Sequence, residues 1–182
     1  SFGSIEESLI HFRLSLAAYK IRMGNWSQAI GILPSASQVA QAVRDPKVKA
    51  KAFQILALAA LVRSDTNGAI NALQNMRDVA PAGSLEKSQA RVLLSQMYYE
   101  QEQWAPVFEE LMQVTKNSPA WYPGVLVSAW AAYRIGDYNL TLGQLHTLHS
   151  PFFRNRFLPE SHVLESMALF QFCQYTPAQR AL

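Results

Sequence analysis

Five times along the chain a small residue is followed nine positions later by an aromatic or, once, a threonine. Three positions further on comes a small or β-branched residue, and four after that a leucine. The sets are Ala17, Trp26, Ala29, Leu33; Ala57, Thr66, Ala69, Leu73; Ser95, Trp104, Val107, Leu111; Ala129, Tyr138, Thr141, Leu145; and Ser166, Tyr175, Ala178, Leu182. Their starts are 40, 38, 34 and 37 residues apart. A three-then-four spacing keeps the last three members on one helical stripe, so each set describes the buried face of a short helix. The small residue nine positions earlier belongs to the preceding helix, where it lets two backbones cross closely. One such hairpin cannot bury its apolar face alone, and stability has to come from stacking neighbours into a continuous core.

Turn signals fall between the two helices of each unit. "MGNW" at Met23–Trp26, "SDTN" at Ser64–Asn67 and "IGDY" at Ile135–Tyr138 can each end one helix and start another. The joints between units carry proline, which the first turn of a helix tolerates and its interior does not. Asp45 precedes Pro46, Ser118 precedes Pro119, and Pro159 and Pro81 mark two more joints, with Ser84 placed to cap the helix after Gly83. The resulting map predicts helices near 5–23, 25–33, 46–63, 66–79, 85–101, 103–117, 119–135, 137–148 and 159–173, and a last one from Tyr175. The stretch "PSASQVAQAVR" after Leu33 is long for a loop and has room for an extra helical turn. Strand signals are nearly absent, because the aliphatic runs are rich in alanine and leucine and of helical length.

Composition agrees with a folded helical chain. Of 182 residues 49% are hydrophobic and 16% charged, enough apolar material for a substantial core. No apolar run approaches the roughly 20 residues needed to cross a bilayer. The single cysteine, Cys173, excludes an internal disulfide framework and leaves the compartment open. Net charge is +3 and uneven: residues 1–91 carry 11 lysines and arginines against 6 acids, residues 92–182 carry 5 against 7. The basic excess includes Lys47, Lys49 and Lys51, a cluster of the kind that meets phosphates or an acidic partner, although a solvated helix face is the more ordinary account.

At these residues the pattern resembles the tetratricopeptide repeat, a helix-turn-helix unit of about 34 residues. Pro81 and Pro119 fall on the proline that closes the family's repeat, and Gly24 and Gly136 on its turn glycine. The array departs from the family at Ser64, Glu102 and Cys173, which replace the turn glycine, at Thr66, which replaces the aromatic, and at Val107 and Thr141, which replace alanine. The resemblance implies an all-α, right-handed solenoid forming one repeat domain over residues 1–182. Its five hairpins would span about 5–43, 46–81, 84–117, 119–150 and 159–182. The fifth stops inside its second helix, so the array is expected to continue beyond Leu182. A narrower likeness, from His146 to Tyr175, is to tetratricopeptide proteins of gliding and predatory Gram-negative bacteria. It implies an envelope or motility-associated scaffold and leans the expected compartment towards the envelope or periplasm.

Catalysis finds little support. His146 and His149 share a helix face, but no third ligand accompanies them on that helix; His162 and Glu165 lie on the next one, and there is no HExxH or cysteine pair. Leu145 and Leu148 claim the buried stripe, which leaves both histidines as partly exposed helix-end residues near the negative end of the dipole. Cys173, amid aromatics, reads as a buried small hydrophobe with no base placed for it. No phosphate-cradling glycine loop and no Gly-x-Ser-x-Gly elbow appear. The expectation is therefore no enzyme, no cofactor and no metal site.

The resemblance also implies a function. In this family the first helix of each hairpin lines a concave groove that receives a peptide or helix of a protein partner. The groove positions carry over to Gln54 and Leu58, to Gln96 and Tyr99, to Trp130, Tyr133 and Arg134, and to Met167 and Phe170. Aromatic anchors beside an arginine suit the recognition of an extended peptide or helix; packing between hairpins is the competing role for each of them. Leu14, Ala18, Gln54 and Leu58 stand where chaperone-binding members place the lysines and asparagines that clamp a terminal carboxylate, so that subtype is disfavoured. Two alternatives remain. An RNA-binding helical-repeat module fits the basic first half but lacks a recurring polar base-reading pair, which makes nucleic acid a poor partner. A purely structural spacer would need no groove.

Overall fold

The computed structural model describes residues 2–153, 156 and 158–181, the first three by backbone alone. The described residues form α-helices and one 3-10 turn, with no strand among them. None of these helices is long and apolar enough to cross a membrane. The chain forms two compact units, Ser1–Leu94 and Ser95–Leu182.

In the first unit α1 (Phe2–Arg22) pairs with α2 (Trp26–Ile32), and α4 (Pro46–Val62) with α5 (Thr66–Val79), while α3 (Ala36–Ala42) lies against α1 and α4. The first part of α6 (Leu85–Glu100) completes it. Ile10, Leu14, Ala17, Ala29, Val39, Val43, Phe53 and Met76 are buried. Where the sequence predicts an extra turn after Leu33 there is a full helix, α3. Its start is fixed by a reciprocal capping box, with Ser35 accepting from Gln38 N–H at 3.2 Å and the Gln38 side chain accepting from Ser35 N–H at 2.9 Å. The carbonyls at the end of α2 are taken by Arg13, whose Nε donates to Ile32 at 2.8 Å and Nη2 to Leu33 at 3.0 Å. At the start of α4 the Asp45 carboxylate accepts from Lys47 N–H at 2.8 Å and Val48 N–H at 3.2 Å. The backbone N–H of Val48 and then that of Lys47 hold its pKa below the ordinary value.

In the second unit the rest of α6 is followed by α7 (Trp104–Met112), α8 (Trp121–Arg134), α9 (Tyr138–Leu148), a 3-10 turn at Pro151–Phe153, α10 (Pro159–Gln171) and α11 (Tyr175–Ala181). Helix α8 packs on α7 and α9, α9 on α10, and α10 on α11. Tyr122, Val125, Ala129, Leu145, Leu148 and Leu164 form the core; burying each leucine contributes about 2 kcal/mol. Helix α7 stops at Met112, not near 117. The chain leaves the helix so that Val114 is buried while Met112 stays exposed. The next helix starts at Trp121, not Pro119, because the Ser118 hydroxyl accepts from Ala120 N–H and holds the proline in a turn.

All but one of the small-residue positions of the repeat are buried, and so are Leu73 and Leu145, but the rest of the predicted stripe is not. Trp26, Trp104, Tyr138, Leu33 and Leu111 are half-buried, and Thr66 and Tyr175, at the first turn of their helices, are exposed. Ala17, Ala57, Ser95 and Ala129 are buried, and so are Ala29, Ala69, Val107, Thr141 and Ala178. Ser166, the small residue of the last set, is half-buried, and Leu182 lies outside the described residues. Thr141 is accommodated because its hydroxyl donates to Asp137 O at 2.9 Å, with Ala129 O at 3.4 Å.

All five hairpin turns share one backbone device. Gly24, Ser64, Glu102, Gly136 and Cys173 have φ of 76°, 58°, 56°, 81° and 57°. In each case the residue's N–H bonds to the carbonyl three back, and the next N–H to the carbonyl five before it, as in Gly136 to Tyr133 at 3.1 Å and Asp137 to Ala132 at 2.9 Å. This double bond satisfies the last carbonyls of the first helix. The residue after each turn is the entry to the second helix, and Asp65 and Asp137 cap it with their carboxylates. Cys173 is exposed, contrary to the expectation of burial, because the left-handed turn position projects its side chain away from the helix pair.

Candidate functional site

Ser95 is buried on α6, while Gln96 and Glu100 are exposed and Tyr99 is half-buried. On α8 the buried Ala129 and Ala132 leave Val127, Trp130, Tyr133 and Arg134 on the other side. A cavity of about 500 Å³ opens between these two helices and the first turn of α10, lined by Gln96, Met97, Tyr99, Glu100, Val127, Trp130 and Glu160. The Trp130 indole N–H donates to Glu160 Oε1 at 2.7 Å and its ring meets Tyr133 edge-on at 6.3 Å. Tyr133 in turn lies 5.4 Å from Tyr138 and accepts from the Gln171 amide at 3.4 Å. Tyr99 rests edge-on against Trp104 at 5.6 Å. Burial pushes the Tyr99 phenol above its ordinary pKa, opposed by the nearby Arg134 guanidinium, so Tyr99 stays a neutral hydrogen-bond donor. Arg134 donates to Glu102 Oε1 at 2.5 Å, and its guanidinium carbon lies 5.9 Å from the Trp104 ring centre.

Of the residues expected to line a groove, Gln96, Tyr99 and Trp130 share this cavity, and Tyr133 and Arg134 border it through Trp130 and Trp104. Met167 and Phe170 are exposed on α10 outside its lining, and Phe170 packs edge-on to Tyr175 at 5.3 Å. Gln54 and Leu58 lie on α4 of the first unit, half-buried and exposed. None of the nine is fully buried. The lining residues that the sequence does not predict are Met97, Glu100, Val127 and Glu160. Glu100 follows Gln96 by four and Val127 precedes Trp130 by three, so helical spacing alone points to both. Glu160 comes from another hairpin and has no such signal. A second cavity of about 480 Å³ lies on the other side of α8, where Phe108, Leu111, Trp121, Val125 and Leu140 surround the space left by the early end of α7.

The histidines separate. His146 is exposed, whereas His149 caps α9 and is half-buried, its Nδ1 3.2 Å from Glu165 Oε2, its Nε2 2.8 Å from Ser161 Oγ, and its ring stacked on His162 at 4.2 Å. The packing of α10 against α9 turns the partners from i+3 neighbours into residues 12 to 16 positions away.

No family model and no curated protein matches the chain. Among solved structures it is similar to PilF of Pseudomonas aeruginosa, at 13% identity and TM-score 0.73 over 97% of this chain and 74% of that one. It is also similar to BtubC of P. vanneervenii, at 8% identity and TM-score 0.77 over 97% and 78%. A kinesin light chain variant from Podosopora anserina with nearly identical TPR-like repeats matches at 16% identity and TM-score 0.69 over 96% and 92%.

Proposed function

Since the chain has the fold of a divergent all-α solenoid of tetratricopeptide-like repeats, we propose that it is a non-enzymatic protein-interaction scaffold. The α6–α8 face of its second unit receives an extended or helical segment of a protein partner. The observation that carries this reading is the cavity of about 500 Å³ between Tyr99 and Trp130, aromatic on its walls and acidic at its edge. Large, stiff aromatics bury area at little entropic cost and make effective anchors.

Its charge indicates the kind of segment. Glu100 and Glu160 line the cavity, no lysine or arginine is among its described lining residues, and Arg134 is committed to Glu102. The segment we propose therefore carries lysine or arginine beside an apolar anchor. The same carboxylates repel phosphate, which counts against an RNA ligand on this face. For the setting we propose a bacterial envelope or motility-associated assembly, supported by the likeness of the stretch from His146 to Tyr175.

The test is capture of partners by wild type against the Trp130→Ala, Tyr133→Ala double variant, with circular dichroism of both. Loss of specific partners at unchanged helicity supports the reading. Loss of helicity would assign these residues to packing, and saturable RNA binding with undiminished partner capture would overturn it.

A further inference from the structure

Away from the aromatic face, the end of α9 and the first turns of α10 bring together three donors from two helices. His162 and Glu165, three apart on α10, share a face, and His149 at the C-cap of α9 meets them. Their ligand atoms all lie within 4.8 Å of one another, and all three side chains are half-buried, neither sealed from solvent nor free in it.

The proton inventory around His149 is decided by Ser161, which is 1% exposed. The Ser161 hydroxyl lies 2.6 Å from the carbonyl of Leu158. A carbonyl has no proton to give, so the one hydroxyl proton is committed there. Ser161 Oγ therefore accepts from His149 Nε2–H at 2.8 Å. A neutral imidazole carries a single N–H, so Nδ1 is left with a lone pair. That lone pair faces Glu165 Oε2 at 3.2 Å. Two acceptors in contact need a cation between them. A proton would serve the pair, but it would need no third donor; His162, brought alongside with its ring 7° from parallel, supplies one.

We propose that this cluster is a binding site for a divalent transition-metal ion, with His149 Nδ1, His162 and Glu165 as ligands and a remaining position open to water or to a partner's side chain. Zinc bonds to nitrogen and carboxylate oxygen are about 2.0–2.2 Å, which sets neighbouring ligand atoms on a tetrahedral ion roughly 3.3 Å apart. The His149–Glu165 separation already matches that edge, and the His162 ligand atom lies within 4.8 Å of both, so the proposed site requires it to close by up to about 1.5 Å on binding. A mixed nitrogen and oxygen set selects zinc, nickel or copper over calcium and magnesium, which take oxygen ligands. The Leu158–Ser161–His149 chain is the outer support such a ligand requires, since it fixes the tautomer that leaves Nδ1 free to coordinate. His146, exposed and one turn earlier on α9, is not a member. The expectation of no metal site rests on the lack of a third ligand on the helix of His146 and His149; the packing of α10 on α9 brings His162 and Glu165 from the next helix to His149.

The experiment is a zinc titration of the metal-stripped chain against a chromophoric chelator, with circular dichroism to verify folding of each variant. One equivalent of zinc per chain is expected. His149→Gln and Glu165→Gln should each weaken binding at least tenfold, Ser161→Ala about tenfold, and His146→Ala not at all. Because Glu165→Gln preserves shape, its loss of binding cannot be charged to misfolding. No saturable binding by wild type, binding undiminished in His149→Gln, or an equal loss in His146→Ala would each overturn the proposal. A histidine resonance showing His149 doubly protonated at neutral pH in the presence of zinc would overturn it as well, since a proton alone would then occupy the position. None of these outcomes bears on the aromatic face, so the two readings stand or fall separately.

Discussion

Glu102 occupies the left-handed turn between α6 and α7, and its carboxylate meets the Arg134 guanidinium at 2.5 Å, 32 residues further along the chain. One residue thus serves two purposes. Its backbone stands where two of the other hairpins place glycine, and its side chain ties the third hairpin to the end of α8.

That double role gives a comparison. Ser64→Gly removes a Cβ from φ 58° and should stabilise the chain by about 1 kcal/mol, the scale of the left-handed penalty. Glu102→Gly gains the same relief but loses an ion pair between half-exposed groups, worth about 0–1 kcal/mol, and should therefore be more stable than wild type by about 0–1 kcal/mol, never by more than Ser64→Gly. Urea unfolding of both variants checks this; a destabilised Ser64→Gly would contradict it.

The reverse change isolates the backbone contribution. A Cβ added at Gly136 meets nothing within 4 Å, so Gly136→Ala feels only the strain of φ 81°. We expect a loss of about 1–2 kcal/mol in thermal or urea melts. An unchanged midpoint would mean that the turn relaxes out of the left-handed region.

Thr141 tests a buried hydroxyl. It is fully buried, and Val107 fills the equivalent place in the third hairpin without one. Thr141→Val keeps the shape and deletes the bond to Asp137 O, which should cost about 1 kcal/mol. Since Asp137 O still accepts from the Thr141 backbone N–H, a cost above about 3 kcal/mol would mean that the hydroxyl does more than satisfy this carbonyl.

Asp45 supplies the acid dependence. The N–H of Val48 and of Lys47 hold its folded pKa below the ordinary 3.8. The folded state therefore binds fewer protons than the unfolded one near that pH, so the cap's contribution is complete above about 4 and is lost as pH falls through the folded value. A carboxyl titration by NMR should show Asp45 titrating below 3.8, with the amides of Lys47 and Val48 moving in step. Asp45→Asn keeps a cap and should remove that part of the dependence.

Much of the fold is legible because it is local. The three-then-four stripe, the capping Asp45 and Ser84, and the turn positions at Gly24, Ser64, Glu102, Gly136 and Cys173 each depend on residues within one hairpin. Backbone sterics and helix-end hydrogen bonding decide them at short range. The departures from expectation are local too, but each depends on a competing contact: Val114 ends α7 early by burying itself, and Ser35 with Gln38 makes a helix where the spacing suggests a single turn.

The candidate sites are less legible because their partners come from different hairpins. Tyr99, Trp130 and Tyr133 are groove positions that the resemblance implies, and helical spacing from Gln96 and Trp130 then points to Glu100 and Val127. Nothing in the spacing says that Glu160 reaches Trp130, that Arg134 is committed to Glu102, or that His149 finds His162 and Glu165 in place of His146. The amino-acid order alone determines the helices, their turns and their buried stripes, since these arise from interactions three to five residues apart. Which side chains from separate hairpins share a cavity or a proton is decided only when the hairpins stack, because the offset between helices sets those distances and no periodicity encodes it.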